Sequence, residues 1–238
     1  PAWLIAKVRP INIMRGPTIV NTGSGKLTLR KSLIVFQFTI AQVFIIGALV
    51  VGQQLKYVLQ KDLGFNKEAI VLVDIPIKIL WDSALQVKSF PLQEEFKNID
   101  GVQKVSLGSE PLTPGYNSAP FAYMDETNGV STERQLNIKW VDNKYIDVYD
   151  MELVAGRNIE SSEAANEYLI NETAAEAFGF ASPQDAIGKF INRREEESFP
   201  IVGVVKDFHI KDFYTGIEPL VMIHEKSNLG TFNIKLNS

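Results

Sequence analysis

The sequence has no cysteine and only two histidines among its 238 residues. Without cysteine there are no disulfides and no thiolate metal site, and two histidines do not make a histidine-rich one. No metal and no cofactor site is therefore expected. Acidic residues are missing from the first 61 positions, Asp62 being the first. The charges ahead of Leu33 are Lys7, Arg9, Arg15, Lys26, Arg30 and Lys31, all of one sign. Behind Val51 there are 18 basic against 28 acidic residues. The basic cluster lacks interleaved aromatics and abuts an apolar run, which argues against a nucleic-acid arm. No small-residue cleavage site follows that run, so it reads as a retained anchor rather than a signal peptide. The lack of cysteine fits an exported domain that folds without disulfides.

What the sequence does have is Leu33–Val51, LIVFQFTIAQVFIIGALVV, 19 residues without a charge. As a helix it spans roughly 28 Å, close to the hydrocarbon thickness of a bilayer. Thirteen of its residues are Leu, Ile, Val or Phe. Together they favour insertion by roughly 4–8 kcal/mol, partly offset by Gln37, Thr39 and Gln42. A buried core helix rarely runs this long without a charge. Basic residues mark the cytoplasmic end of such a helix. Residues 1–31 are thus expected in the cytoplasm and 56–238 outside it. Helical spacing continues through Leu55, Val58 and Leu59, with Gly64 as a natural stop. Gln37, Ala41, Ala48 and Gly52 fall on one face, and Ala48 with Gly52 makes a small-xxx-small pair for close helix packing. Pro1–Ala6 is apolar and then abruptly basic, as at the end of an earlier membrane helix.

Residues 7–30 read as a basic connector rich in Pro and Gly. Gly23-Ser24-Gly25-Lys26 imitates a phosphate-binding loop, but Val20 stands where a glycine is needed and Leu27 where Ser or Thr is needed. It reads as a flexible turn, and no nucleotide site is expected.

Beyond the apolar run the elements are short. Ala69–Ile75 reads as a strand. Phe90–Asn98 reads as a helix capped by Ser89, with Pro91 in its first turn and Gly101 ending it. Val102–Leu107 follows as a strand, completing a strand–helix–strand unit. Asn128-Gly129 signals a hairpin between Phe121–Asp125 and Gln135–Val141. In its second strand Leu136, Ile138 and Trp140 alternate with Gln135, Asn137 and Lys139, predicting one buried face. Lys144–Tyr149 is a short helix leading to Gly156-Arg157. The pattern restarts with a strand at Tyr168–Ile170 and a helix Glu172–Phe178 ended by Gly179. Strands follow at Lys189–Ile191 and Pro200–Val205, around the charged turn Arg193–Glu197. Leu220–Ile223 is another. Thr231–Leu236 closes the chain as a strand with no partner to follow, which reads as a truncation.

Catalytic constellations are not evident. Asp207 and His209 lie close together but no nucleophile is tied to them, and they read as a polar turn. Glu94-Glu95 and Glu195–Glu197 read as solvated faces. Asn171-Glu172-Thr173 is a formal glycosylation sequon, relevant only in a eukaryotic secretory path. Trp3, Trp81 and Trp140 read as interface or core residues.

Several stretches, in order, carry a resemblance. They are Pro1-Ala2-Trp3 through Arg15-Gly16, Leu29–Ile40 (LRKSLIVFQFTI), Lys61–Asn66 (KDLGFN), Gly156-Arg157-Asn158, Leu169–Ala175 (LINETAA) and Val202–His209 (VGVVKDFH). The chain resembles the FtsX-like ABC transporter permeases of Bacteroidetes-type bacteria, whose extracytoplasmic part is a MacB-like periplasmic core domain. The resemblance implies an α+β fold: one transmembrane helix, then an α/β porter-like domain with an inserted second subdomain. It implies 1–30 as cytoplasmic connector, 31–61 as membrane helix with its periplasmic extension, 62–157 plus 231–238 as porter and 158–230 as insert. It places the chain in a bacterial inner membrane. It implies no catalytic residue here, and ATP hydrolysis in a separate ATPase subunit or domain. Other permease helices, a dimer mate, lipid and a periplasmic adaptor are the implied partners, with no nucleic acid. Composition alone also allows a different class, a single-pass sensor or scaffold with an extracytoplasmic ligand-binding domain.

Overall fold

The computed structural model describes residues 24–61, 63–80, 82–112, 117–125, 129–193, 197–211 and 215–237. The expectations for Pro1–Ala6, the connector as far as Gly23, Trp3, Trp81 and Asn128 lie outside them. The chain divides into two compact units, Pro1–Lys61 and Asp62–Ser238.

The first unit holds one long helix, α1 (Ser24–Gln60, 37 residues). At 1.5 Å per residue it is about 56 Å long. It starts earlier than the basic connector reading allows, because Ser24, Gly25 and Lys26 form its first turn instead of a flexible turn. It also stops at Gln60, ahead of Gly64. Leu29–Val58 is long and apolar enough to cross a membrane, and none of it is buried. Thr39 Oγ1 donates to the Val35 carbonyl at 2.9 Å. That bond satisfies the hydroxyl inside the helix, where lipid offers no partner.

The second unit is built on two sheets. The smaller has three strands in the order β1 (Ile70–Asp74), β10 (Thr231–Leu236), β2 (Val102–Gly108), all antiparallel neighbours. Between β1 and β2 run α2 (Ile77–Leu80), α3 (Ser83–Gln86) and α4 (Ser89–Lys97). The strand–helix–strand unit is therefore split, with the last strand of the chain in its middle. β10 is not partnerless: it bonds on both edges to strands that precede it by more than a hundred residues. Ser89 is the first residue of α4, not its cap, and the N-cap Lys88 makes no side-chain cap bond.

The larger sheet has the order β5-β8-β6-β9-β4-β3-β7. Its strands are β3 (Ser118–Met124), β4 (Ser131–Trp140), β5 (Leu153–Gly156), β6 (Tyr168–Asn171), β7 (Phe190–Asn192), β8 (Ser198–Val205) and β9 (Leu220–Ile223). Short helices α5 (Tyr145–Val148), α6 (Glu172–Phe178) and α7 (Pro183–Ala186) join them. The hairpin β3–β4 forms as expected, with Met124 opposite Ser131. β7 pairs with both β3 and β8, so β8, β6, β9, β4, β3 and β7 make a closed circuit. β4–β9 and β6–β8 are parallel pairs and the rest antiparallel.

The central strands are buried on both faces, which is why they read as continuous apolar runs. Tyr168 and Ile170 of β6 and Val221 and Ile223 of β9 enter one core. Ala174, Ala175 and Phe178 of α6 and Ala186 of α7 belong to the same core. Leu169, Leu220 and Met222 enter a second core on the opposite face. That core is closed by Tyr145, Tyr149 and Phe208, and by Leu63 and Phe65.

The alternation in β4 holds for Leu136, Ile138 and Trp140, which are buried. It fails at Lys139, which is also buried. Its ammonium donates to the Glu110 carbonyl at 2.5 Å, so a covering loop replaces solvent on that face. Burial pushes the Lys139 ammonium down to about 8, against a smaller upward pull from Glu110. Between about 8 and its ordinary 10.5 the unfolded chain then binds more protons, so this residue makes stability rise with pH there. Burial also pushes the Tyr145, Tyr149 and Tyr168 hydroxyls up from their ordinary 10. They oppose the trend once unfolded tyrosines ionise. Denaturation midpoints measured against pH should carry a rising contribution from pH 8 to 10 that Lys139→Met removes. Parallel profiles for the variant and the natural chain would contradict this.

Candidate functional site: the segment that follows the long helix

Two positions of sequence, Lys61 and Asp62, separate the last residue of α1 from Leu63. Leu63 is 5% exposed and Phe65 8%. An apolar residue on each side of a glycine is what a docked turn needs: two anchors and a bend. Gly64 has φ +82°, and a Cβ there would lie 2.6 Å from the Asp207 carbonyl oxygen. Only glycine both adopts that conformation at little cost and permits that approach. The backbone is bonded at both ends. His209 N donates to the Leu63 carbonyl at 2.9 Å, and Asn66 N donates to the Tyr149 carbonyl at 2.8 Å. Phe65 meets Tyr149 edge-on at 5.6 Å and Phe208 edge-on at 6.1 Å.

From Tyr149 the contacts pass to the small sheet. Its hydroxyl donates to Asn233 Oδ1 of β10 at 2.6 Å. Asp150 accepts from Asn66 Nδ2 at 3.0 Å and from Lys235 Nζ of β10 at 2.5 Å. Lys235 chiefly holds the Asp150 carboxyl below its ordinary value, against burial and with help from Asn66 and Lys104. A polar cleft of about 490 Å³ opens beside the segment, lined in part by Asn66, Asp150, Glu152, Lys206, Asp207 and His209.

Asp142 forms the other junction between the sheets. It is buried and follows Val141, which bridges to Gly108 at the end of β2. Its oxygens accept from Ser106 Oγ at 2.6 Å, Gln93 Nε2 at 2.7 Å, Leu107 N at 2.8 Å and Lys144 N at 3.0 Å.

The polar turn expected at Asp207 and His209 is a built joint. Asp207 Oδ1 accepts from Asn171 Nδ2 at 2.8 Å and Thr173 N at 3.0 Å, and Oδ2 accepts from Thr173 Oγ1 at 2.7 Å. Asn171 is buried and caps α6, accepting from Ala174 N at 3.0 Å. The sequon is thus architecture. The glycines of Gly156-Arg157-Asn158 and Val202-Gly203 face each other in register. A Cβ on Gly203 would lie 2.2 Å from the Arg157 carbonyl oxygen. Arg157 Nη2 pairs with Glu167 Oε2 at 2.7 Å. Burial pushes the Glu167 carboxyl up, but Arg157 and the Glu160 amide outweigh it and hold it below its ordinary value.

Among the described residues no group of three or more His, Asp or Glu is placed to hold a metal ion. The arrangement joins the Leu63–Asn66 segment to both sheets. Gln37, Ala41, Ala48 and Gly52 all lie in α1 with nothing against them, and a Cβ on Gly52 meets no atom within 4 Å. Sequence reasoning overlooked Tyr149, Asp150 and Asp142. Their only local signal is a polar residue directly beside an apolar run.

Several solved structures are similar to the chain. One is a domain of a protein described as a permease from Porphyromonas gingivalis, at 16% identity and TM-score 0.45, with 62% of this chain and 66% of that one covered. The chain thus spans just under two thirds of that structure. Another is the periplasmic region of MacB from Actinobacillus actinomycetemcomitans, at 13% identity and TM-score 0.46, covering 76% and 80%. A third is the extracellular domain of the ABC-type transporter YknZ from Gram-positive bacteria, at 13% identity and TM-score 0.41, covering 61% and 71%. No curated protein matches. The profile of the MacB-like periplasmic core domain matches residues 32–237, and the chain belongs to that family.

Proposed function

We propose that this chain is the membrane-anchored part of an ABC-type permease that turns cytoplasmic ATP hydrolysis into movement of a periplasmic domain. Family membership supports a transporter-associated role. The observation that carries the finer reading is the docked segment. Three residues beyond the end of a 37-residue helix, the chain is already anchored in the second core at Leu63 and Phe65. A flexible tether would absorb motion; an anchored segment passes it on. The joints described above hold sheets and helices together, and ATP hydrolysis is assigned to a separate subunit or domain.

The charge pattern supports Arg30 and Lys31 on the cytoplasmic side and Lys56 on the periplasmic side of an inner membrane. Gln37, Ala41, Ala48 and Gly52 form the face that packs against other helices of the permease or its dimer mate. Leucine at both Ala48 and Gly52 is expected to reduce assembly of the full-length permease in cross-linking assays; unchanged assembly removes the packing role. The porter-like part comprises 62–157 with 231–238, and the insert 158–230. The return of β10 to β1 and β2 supports the second seam. At the first seam β3, β4 and β5 share a sheet with the strands of 158–230, so that seam runs through hydrogen-bonded structure rather than a linker.

The test uses the full-length permease with its ATPase in nanodiscs. Spin labels go on Gln103→Cys of the small sheet and Glu176→Cys of α6, which is practical because residues 1–238 contain no cysteine. ATP is expected to change the distance between them. An identical distance distribution with and without ATP would sink the reading.

A further inference from the structure

We propose that Asp150 is a latch that carries movement from the segment after α1 into the small sheet, a role that rests on the coupling function above. Asp150 is one of two non-glycine residues with positive φ among those described, at +49°. Aspartate tolerates this conformation better than most residues, yet such a conformation persists only where surrounding contacts hold it. The contacts that hold Asp150 come from two directions. Asn66, six positions beyond the last residue of α1, donates to Oδ2 at 3.0 Å. Lys235 of β10 donates to the same oxygen at 2.5 Å, and Lys104 of β2 lies 3.8 Å from Oδ1. Lys104 also donates to the Asp147 carbonyl at 2.8 Å, which ties β2 to the turn that presents Asp150. One carboxylate thus joins the first polar residue of the docked segment to two strands of the small sheet.

Asp150 differs in kind from its neighbour. Tyr149 makes a parallel connection, through its carbonyl to Asn66 and its hydroxyl to Asn233, but it is buried and the fold depends on its ring. The Asp150 side chain is 46% exposed. Lys235 is buried, but a pair whose carboxylate is half exposed adds less to stability than a fully buried one, so its replacement leaves the fold standing. A residue that contributes little to packing yet bridges two parts is placed to transmit movement between them.

The experiment uses the same labelled full-length permease, with its ATPase, in nanodiscs. Asp150→Asn keeps the local conformation and removes the charge; Lys235→Met removes the partner. Both are expected to shrink the ATP-driven change between positions 103 and 176 by about twofold or more. The unfolding midpoint should shift only slightly, and Lys235→Arg should retain the full change. The latch is overturned if the natural protein shows the change and both variants show it undiminished. It is equally overturned if the change is lost only together with the unfolding midpoint, which marks a purely structural role. No change in the natural protein removes the coupling reading itself, and the latch with it.

Discussion

Phe65→Ala is expected to lower the stability of the domain by about 3–5 kcal/mol. The ring is 8% exposed and closes the second core. It packs edge-on against Tyr149 and Phe208, an arrangement that adds roughly 0.5–1.5 kcal/mol per pair beyond burial. Removing it opens a cavity where the chain enters the domain, and the Asn66–Tyr149 backbone bond loses its support. Against a total of about 5–15 kcal/mol for an ordinary domain, this is a large fraction. Phe65→Leu keeps most of the volume and should cost about 1.5 kcal/mol or less. Urea unfolding of the purified chain in detergent, followed by circular dichroism, measures both. A loss below about 1 kcal/mol for the alanine variant would show that the segment is laid on the domain rather than built into it.

Asp142→Ala should cost about 2–4 kcal/mol, because it strips the acceptor from buried donors on α4 and β2 and from the Lys144 amide. Gln93 belongs to α4, Ser106 and Leu107 to β2, and Lys144 precedes α5. Their partner is the carboxylate at the junction of the two sheets. Asp142→Asn keeps one oxygen and should retain part of that stability. The small sheet should loosen first, so amide exchange in β2 should quicken more than in β6 or β9. Equal acceleration in all three strands would mean that Asp142 supports the whole domain and not the junction.

Much of this architecture is legible in local sequence. Glu172–Phe178 forms as a helix and Gly179 ends it at φ +88°, because a left-handed turn is chemistry of a few adjacent residues. Leu220–Ile223 and Thr231–Leu236 stand where their apolar runs end. Long-range choices are not legible. Nothing near Thr231 says that β10 enters between β1 and β2. Lys139 alternates as a solvent-facing residue should, and a distant carbonyl at Glu110 buries it. The start of α1 at Ser24 defies the two glycines around it, because a helix once nucleated extends at little cost through a weak turn. The site was half visible. Lys61–Asn66 and Val202–His209 stand out by resemblance, but their meeting at Gly64 and Asp207 is a property of the fold.

The proposed coupling requires the segment from Leu63 to Asn66 to pass movement from α1 to the domain. A short Gly-Ser linker inserted between Lys61 and Asp62 of the full-length permease tests it most directly, since it leaves every contact within the domain in place. With the ATPase present and labels at positions 103 and 176, the account predicts an unchanged unfolding midpoint and loss of the ATP-driven distance change. A linker variant that folds and still shows the full change would contradict it.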